Sequence, residues 1–264
     1  MPAFNPTSFS AVRETFDGYA HGYRERFNLN PLGHYQREQV HRIMAEYLRS
    51  GDRILDVGCG PGSDFPFYKA LNLRVDAIDI SPEMVTQARQ VARNLFLSAG
   101  IRQASLEAFS APSTYDAVIL NFGVINALSP LSPVLDKLGE LVASGGVLFL
   151  TVMPPFHLFW MMEMIVRGQW RKARQRLFGR QVVVGKKMQC FYYRQKDIER
   201  ATTFPLRVDR RVHLGAVLPT PEQYARFPRL RGIAHVLLPL DRRLSTRLPD
   251  AAGGDHVCYV LRHL

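Results

Sequence analysis

The sequence predicts a doubly wound α/β fold around a parallel sheet. Apolar runs such as RILDV at 53–57, YDAVILNFG at 115–123 and VLFLTVM at 147–153 alternate with amphipathic helical segments. Strands of this kind are buried on both faces, which is typical of a parallel sheet covered by helices on both sides. The glycine-rich stretch ILDVGCGPG at 54–62 covers the end of the first strand and the turn after it. A strand that ends in such a turn and opens a helix forms the usual ligand-binding edge of this fold.

The segment before residue 153 alternates helices and strands throughout. The helix at 34–50 has apolar residues at helical spacing and is stopped by Gly51. Another helix begins at Ser81, which is followed by a proline and an acidic residue, a strong helix start. The remaining predicted elements are helices at 63–71 and 133–143 and strands at 74–80 and 101–108.

The pattern changes after residue 153. Residues 154–190 combine the aromatic and Met-rich FHLFWMMEMIV with the basic GQWRKARQRLFGR, and residues 194–204 form a further predicted helix. At 264 residues the chain suits one domain with a cap. We divide this single domain, 1–264, into N-terminal helices at 1–50, a ligand-binding core at 51–153, an aromatic and basic cap at 154–204, and two terminal strands, 205–218 and 255–264, that enclose a helical insertion.

The positive charge of the chain is unevenly distributed. Residues 1–150 contain 13 Lys and Arg against 15 Asp and Glu, whereas residues 151–264 contain 21 against 8. This asymmetry predicts either a surface for an anionic partner, such as a membrane or an acidic carrier, or a solvated arginine-rich face. Nucleic acid is disfavoured because no recognition motif for it accompanies the charge.

Location and metal content follow from what the sequence lacks. The longest apolar stretch, 153–168, is interrupted by Glu163 and is shorter than the roughly 20 residues that span a bilayer. The N-terminus does not have the pattern of a secretory signal, so we expect a cytoplasmic protein, with a peripheral membrane location as an alternative. Three widely spaced cysteines predict neither a disulfide framework nor a zinc site, and we expect no bound metal.

The glycine-rich turn departs from the common nucleotide motifs. Gly58, Gly60 and Gly62 place the third glycine one residue too early for the dinucleotide fingerprint, and no Walker lysine follows. Asp56 precedes the turn, where a carboxylate repels a pyrophosphate but attracts an ammonium group. Asp79 ends the second strand, where it can accept hydrogen bonds from both ribose hydroxyls. A plain tight turn, with Asp79 serving only as a helix cap, is the structural alternative.

These residues resemble the class I S-adenosylmethionine-dependent methyltransferases, in particular bacterial enzymes that act on small molecules. ILDVGCGPG is similar to their first motif, AIDISPEM at 77–84 to their ribose-binding strand and the helix after it, and YDAVILNFG to their fourth strand. The resemblance implies a seven-stranded sheet of order 3-2-1-4-5-7-6 with strand 7 antiparallel. The cofactor it implies is S-adenosylmethionine.

The resemblance also implies roles for individual residues. Gly58, Cys59 and Gly60 would line the methionine part of the cofactor, and Asp79 would hold the ribose. Asn121 and Phe122 would lie beside the sulfonium. Further contacts are implied for the adenine, with Ile80, Met84, Leu106 and Glu107, and for a covering residue, Tyr23, although here Tyr23 is followed by Arg24 where the family often has Asp.

Candidate catalytic residues are harder to select, because a sulfonium is already an activated methyl donor and the enzyme mainly positions the acceptor. A histidine base helps when the acceptor is a hydroxyl. We select His157 and His213 as candidate bases, and His34 is a third possibility. A structural or surface role is the alternative for each.

The cap indicates the class of acceptor. Its aromatic and Met-rich face suits a lipophilic pocket, and its arginines continue directly from that face. We therefore expect methyl transfer to an oxygen or nitrogen of a lipophilic or aromatic small molecule. The alternatives are a lipid, quinone or carbon methyltransferase at a membrane surface, a non-catalytic binding protein of the same fold, and a cap helix that belongs simply to the core.

Overall fold

The computed structural model describes residues 6–20, 22, 27, 29–184 and 188–264. Its main sheet has seven strands in the order β3-β2-β1-β4-β5-β9-β8. Strand β9 runs in the direction opposite to the other six strands, and it pairs with β5 on one side and β8 on the other. The predicted order is therefore confirmed. The strands are β1 (Arg53–Val57), β2 (Arg74–Asp79), β3 (Ala99–Gln103), β4 (Tyr115–Leu120), β5 (Val142–Val152), β8 (Leu206–Leu214) and β9 (His256–His263), and β6 (Gln181–Val184) pairs with β7 (Met188–Phe191) in a separate hairpin.

Helices cover both faces of the sheet, as the unbroken apolar strands predict. Along β4, Leu120 packs in a core layer with α5 and α8, whereas Ile119 packs in the opposite layer with α2, α3 and α4. The helices are α1 (Pro6–Ala20), α2 (Pro31–Tyr47), α3 (Phe65–Ala70), α4 (Pro82–Asn94), α5 (Leu131–Leu141), α6 (Leu158–Val166), α7 (Trp170–Arg174), α8 (Gln195–Ala201), α9 (Pro221–Arg226) and α10 (Arg229–Leu244).

Three elements differ from the predicted ones. Strand β3 ends at Gln103, before the predicted end, and a turn follows at 106–108. Strand β5 begins at Val142, with a register shift against β4. The hairpin of β6 and β7 was not predicted, because each of its strands has only four residues and a basic segment separates them.

The cap consists of α6, α7 and the hairpin, and it covers the carboxyl edge of the sheet together with α1. Helix α1 packs against α4, where Gln87 Nε2 donates a hydrogen bond of 3.1 Å to the carbonyl of Ala20. Within the described residues, no helix is both long enough and apolar enough to cross a bilayer.

Candidate functional site

The glycine-rich turn joins β1 to α3 and has a conformation that requires glycine. Gly58, Gly60 and Gly62 have φ angles of +71°, +54° and +78°. A Cβ atom on Gly58 would lie 2.6 Å from a methyl group of Val124, and one on Gly62 would lie 2.8 Å from the ring of Phe65. A Cβ atom on Gly60 would have no neighbour within 4 Å. The turn is therefore tightly packed on two sides and leaves open space above its centre.

Asp79 faces this open space from the end of β2. Its Oδ2 accepts a hydrogen bond of 2.8 Å from the Gly60 amide, and its Oδ1 accepts one of 2.9 Å from the Ser81 amide. Burial raises the pKa of Asp79, while these two donors oppose the shift. Ser81 in turn caps α4 by accepting a hydrogen bond of 3.1 Å from the Met84 amide. Ser81, and not Asp79, therefore caps helix α4.

A cleft lies between the turn, the end of β2 and helix α1, and we call it the glycine-loop cleft. Its floor is polar, with Asp79 and Asn121, and its walls are apolar. This combination fits an adenosine, whose hydroxyls need acceptors and whose base needs a flat apolar slot. The apolar residues and glycines that line it are Val12, Phe16, Val57, Gly58, Gly60, Ile78, Ile80, Met84, Ala104, Leu106, Phe122, Val124, Ala127 and Leu128.

Asp64, four residues after Gly60, anchors a buried polar network below the cleft. It accepts hydrogen bonds from Arg37, from His41 Nε2 at 2.8 Å and from Asn121 Nδ2 at 2.9 Å. The Asn121 Oδ1 accepts a further hydrogen bond of 3.1 Å from Thr151. The arginine and the other donors hold the pKa of Asp64 well below its usual range, although burial opposes this. The network fixes the orientation of Asn121 at the cleft floor.

A second cavity of about 580 Å³ adjoins the glycine-loop cleft, and we call it the cap cavity. The two share Phe16, Phe122 and Ala127 in their linings. Most of its apolar wall comes from the cap, including Trp160, Met164 and Val182. A ligand in the cleft and a second ligand in the cap cavity would therefore meet at Phe122.

Comparison with known proteins identifies the kind of domain that contains the glycine-loop cleft. Residues 54–146 match the family model of the methyltransferase domain. The chain is 31% identical over 127 residues to a ubiquinone biosynthesis O-methyltransferase of Xanthomonas campestris, covering 47% of this chain and 50% of that protein. Residues 54–146 therefore form a methyltransferase domain, in a sheet with the strand order of the class I S-adenosylmethionine-dependent methyltransferases. The chain is also 29% identical over 150 residues to a malonyl-[acyl-carrier protein] O-methyltransferase of Enterobacter lignolyticus, covering 56% of this chain and 55% of that protein.

The methyltransferase spans about half the length of these two relatives. Among solved structures, it is similar to the magnesium protoporphyrin IX methyltransferase of Synechocystis with bound SAH, with a TM-score of 0.61 and 16% identity. That similarity covers 97% of this chain and 100% of the other. At 16% identity, this similarity shows that the two proteins share a fold. The cofactor is S-adenosylmethionine, as predicted.

Most of the predicted cofactor contacts of this methyltransferase lie together. Gly58, Gly60, Asp79, Ile80, Met84, Leu106, Asn121 and Phe122 all line the glycine-loop cleft. Tyr23 lies outside the described residues. Sequence reasoning missed Val12 and Phe16, because nothing in the sequence shows that α1 packs over the cleft.

Three other predicted contacts lie elsewhere. Glu107 is exposed, because the turn after β3 directs Leu106 inward and its neighbour outward. Cys59 packs its side chain into the core layer below the turn. Asp56 is buried below the turn and accepts a hydrogen bond of 3.1 Å from Tyr68. Burial and the nearby Asp64 raise the pKa of Asp56 well above its usual range. A raised pKa disfavours the charged Asp56 carboxylate, which is the form that would attract an ammonium group.

The predicted catalytic histidines have structural positions. His157 is fully buried, donates from Nε2 to the carbonyl of Leu218 at 2.9 Å and accepts at Nδ1 from the Trp160 amide at 3.2 Å, which caps α6. Both ring nitrogens of His157 are thus engaged by the backbone, and neither is free to contact a methyl acceptor. His213 is buried in β8 and donates from Nδ1 to the carbonyl of Gly253 at 2.6 Å. His34 is exposed beside Glu38. None of the three lines the cap cavity, so their positions do not support the predicted role of His157 and His213 as bases.

A different histidine, His256, lies where the two spaces meet. Its ring packs edge-on against Phe122, with ring centres 5.6 Å apart. Its Nδ1 lies 3.3 Å from Asp255 Oδ2, which also accepts a hydrogen bond of 2.9 Å from Gln36. The signal for this pair in the sequence was two polar residues, Asp and His, at the start of a buried strand. Within the described ranges, no group of three or more His, Cys, Asp or Glu side chains could hold a metal ion.

Proposed function

We propose that the methyltransferase transfers the methyl group to an oxygen of a lipophilic or aromatic small molecule bound in the cap cavity. The observation that carries the proposal is the junction at Phe122, where the glycine-loop cleft opens into a cavity with Trp160, Met164 and Val182 in its wall. Flexible Met and flat aromatic side chains suit a bulky apolar acceptor. Nitrogen and carbon acceptors remain the alternatives that the experiment below separates.

The names of the relatives support oxygen as the acceptor atom. Both matched proteins are named as O-methyltransferases, one in ubiquinone biosynthesis and one acting on malonyl-[acyl-carrier protein]. His256 suits this chemistry, because a hydroxyl acceptor must lose its proton during the transfer. A non-catalytic role would leave the His256 and Asp255 pair without a chemical task.

S-adenosylmethionine supplies an electrophilic methyl group when it is bound. The residues of the chain perform the remaining tasks. Asp79 and the Gly60 turn would hold the nucleoside part, and Asn121, which also lines the cleft, would lie near the methyl group. Phe122 has φ +51°, with the Arg37 guanidinium 4.5 Å from its ring centre, and its ring flanks the junction of the two spaces. His256 accepts the proton of the acceptor hydroxyl, and Asp255, 3.3 Å from its Nδ1, orients the imidazole.

The test measures transfer of a labelled methyl group from S-adenosylmethionine to three sets of lipophilic acceptors, namely phenols and carboxylic acids, amines, and activated carbon compounds. We expect transfer to the oxygen acceptors. In His256→Asn, kcat for a phenol should fall about 10²- to 10⁴-fold, the usual contribution of a general base. Cofactor affinity should stay unchanged. His235→Asn, on the exposed side of α10, is the matched control.

Each other outcome has a definite meaning. Transfer confined to amines or carbon acceptors would contradict the oxygen assignment. Unchanged kcat in His256→Asn at every pH would contradict the role of the base. Binding of S-adenosylmethionine without transfer to any acceptor in the three sets would favour the non-catalytic alternative.

The outer face of the cap supports a separate proposal about location, namely peripheral contact with an anionic membrane. Helix α6 has two faces: Met161 and Met164 are buried, whereas Ile165 and Val166 are 65% and 85% exposed. Trp170 follows at 57% exposure and begins α7, which carries three basic residues. Apolar side chains next to basic ones are typical of a helix that lies in the headgroup region.

Vesicle sedimentation tests the membrane contact. The wild type should bind vesicles that contain phosphatidylglycerol more strongly than vesicles of phosphatidylcholine alone. Neutralising Arg171 and Arg174 should remove this preference, whereas neutralising Arg229 and Arg243 on α10 provides the matched control. Equal sedimentation of the two double variants would contradict the proposal.

A further inference from the structure

The wall of the cap cavity contains a buried arginine. Arg176 was predicted to be part of the basic surface of the cap, but it is only 5% exposed. It lies in a single π-helical turn, Gln175–Gly179, directly after α7, and its guanidinium lines the cap cavity. Local π-helical turns occur frequently at functional sites.

Aromatic rings hold this guanidinium in place without neutralising it. Its central carbon lies 4.5 Å from the centre of the Trp160 ring and 4.3 Å from that of Tyr192. Its Nη2 donates a hydrogen bond of 3.0 Å to the carbonyl of Pro154. In the part of the chain that the structure describes, its buried Nε has no hydrogen-bond partner, and no carboxylate lies within ion-pair distance of Arg176.

Several other charged side chains of the cap cavity have partners of opposite charge, while Lys172 and Glu222 also line it. Arg167 and Arg226 each approach Glu163 Oε1 at 2.9 Å. Arg37 is paired with Asp64. Asp255 exerts a favourable electrostatic effect on Arg176 from a distance, but its close contacts are with Gln36 and His256. Arg176 is therefore a buried cation with no carboxylate in direct contact among the described residues.

A buried charge without a partner is costly, so a protein keeps one where a ligand supplies the partner. Burial lowers the pKa of Arg176 but leaves an arginine charged at neutral pH. Its planar fork of donors matches the two oxygens of a carboxylate or a phosphate. The stacked rings keep that plane fixed, which reduces the entropy lost when an anion binds.

We propose that the acceptor carries an anionic group, a carboxylate or a phosphate, which binds Arg176 while the apolar part of the acceptor lies against Trp160, Met164 and Val182. This inference rests on the proposed function, because it defines the substrate class of the same cavity. The acceptor is then an amphiphilic anion, and Arg176 fixes the end that does not react. Glu163, already neutralised by two arginines, does not compete for Arg176.

Binding of simple probes tests the inference without turnover. The chain has two tryptophans, and Trp160 stacks on Arg176, so Trp170→Phe leaves a fluorescent reporter at the site. The protein, saturated with S-adenosylhomocysteine, is titrated with octanoate, octyl phosphate and the neutral octanamide, each below its micelle concentration. We expect at least one of the two anions to bind ten-fold or more tightly than the amide, and the stronger anion identifies the head group.

Variants of Arg176 test whether this residue causes the preference for the anion. Arg176→Met should remove the preference for the anion, and Arg176→Lys should retain part of it, because a lysine keeps the charge but not the planar fork. Arg200→Met, exposed on α8, is the matched control and should behave as the wild type. Equal wild-type affinity for anion and amide would overturn the inference, even if Arg176→Met failed to fold.

The two proposals fail in distinguishable ways. An undiminished anion preference in a folded Arg176→Met variant would overturn the role of Arg176 and leave the proposed oxygen transfer standing. Loss of oxygen transfer with an intact, Arg176-dependent anion preference would overturn the proposed function and leave an anion site in the cavity.

Discussion

The Gly60 amide donates a hydrogen bond of 2.8 Å to Asp79 Oδ2. This bond joins the glycine-rich turn after β1 to the acid at the end of β2, so the two parts of the cofactor site are held in register by the protein itself. The second oxygen of Asp79 is fixed by the Ser81 amide. The carboxylate is therefore oriented before a ribose arrives, and little conformational freedom is lost on binding.

Removing this carboxylate should abolish cofactor binding. We expect Asp79→Ala to weaken S-adenosylmethionine binding by at least 30-fold in isothermal titration, because both ribose contacts and the orientation of the turn are lost. Asp76→Ala is the matched control, since Asp76 also lies on β2 but pairs with Arg53 and Tyr115 away from the cleft. Equal affinities in the two variants would show that Asp79 does not hold the cofactor.

The glycines of the turn should respond differently to alanine. In Gly58→Ala the new methyl group meets Val124 at 2.6 Å and the residue has a positive φ, so we expect a loss of about 2–4 kcal/mol in the free energy of unfolding. Val124→Ala in the same chain should restore part of it. Gly60→Ala should cost only about 1 kcal/mol, but it should reduce cofactor affinity more strongly, because that methyl group enters the cleft. Denaturant unfolding and titration with S-adenosylmethionine separate the two effects.

Two buried histidines should make the fold sensitive to acid. Burial lowers the pKa of His157 and of His213 below the ordinary value of about 6.5. The unfolded chain therefore binds more protons than the folded chain below pH 6.5, and the free energy of unfolding should fall as the pH drops from 6.5 toward the folded pKa values.

Thermal melts between pH 5 and pH 8 measure this dependence. His157→Asn retains a side chain that can cap α6 but cannot titrate, so its melting temperature should change less across this range than that of the wild type. His34→Asn, an exposed control, should follow the wild-type curve. A curve for His157→Asn that parallels the wild type would exclude His157 as a source of the acid sensitivity.

The network around Asp64 should be important for stability. Asp64→Asn leaves the Arg37 and His41 donors without a charged partner in a buried place, and breaking a buried ion pair in this way typically costs about 3–5 kcal/mol. Because partners hold the pKa of Asp64 low, its contribution should be present above about pH 4 and lost at more acidic pH. Urea unfolding of Asp64→Asn and of the surface variant Asp52→Asn should differ accordingly, and similar midpoints would contradict the account.

The sheet was largely predictable from the sequence, because its signals are local. Residues 147–152 form a nearly continuous apolar run, and the start of α4 carries its own cap at Ser81. The cleft was predictable where it consists of the turn and of the strand end at Asp79. Val12 and Phe16 were not, because they reach the cleft only through the packing of α1.

The roles of single polar residues depended on tertiary structure in the same way. His157 and His256 are both histidines near the cap in the sequence, yet one is enclosed by backbone partners and the other faces the cavity. Arg171 and Arg176 belong to one basic run, but Trp160 and Tyr192 bury only the second. No spacing rule separates these cases, since the partners that decide them are distant in the sequence.

The most direct test of the account is a crystal structure of the protein with S-adenosylhomocysteine. The account predicts that the ribose hydroxyls bind Asp79 and that the sulfur lies at the Phe122 end of the glycine-loop cleft, facing the cap cavity and His256. A nucleoside bound elsewhere, or a sulfur directed away from Phe122, would contradict it.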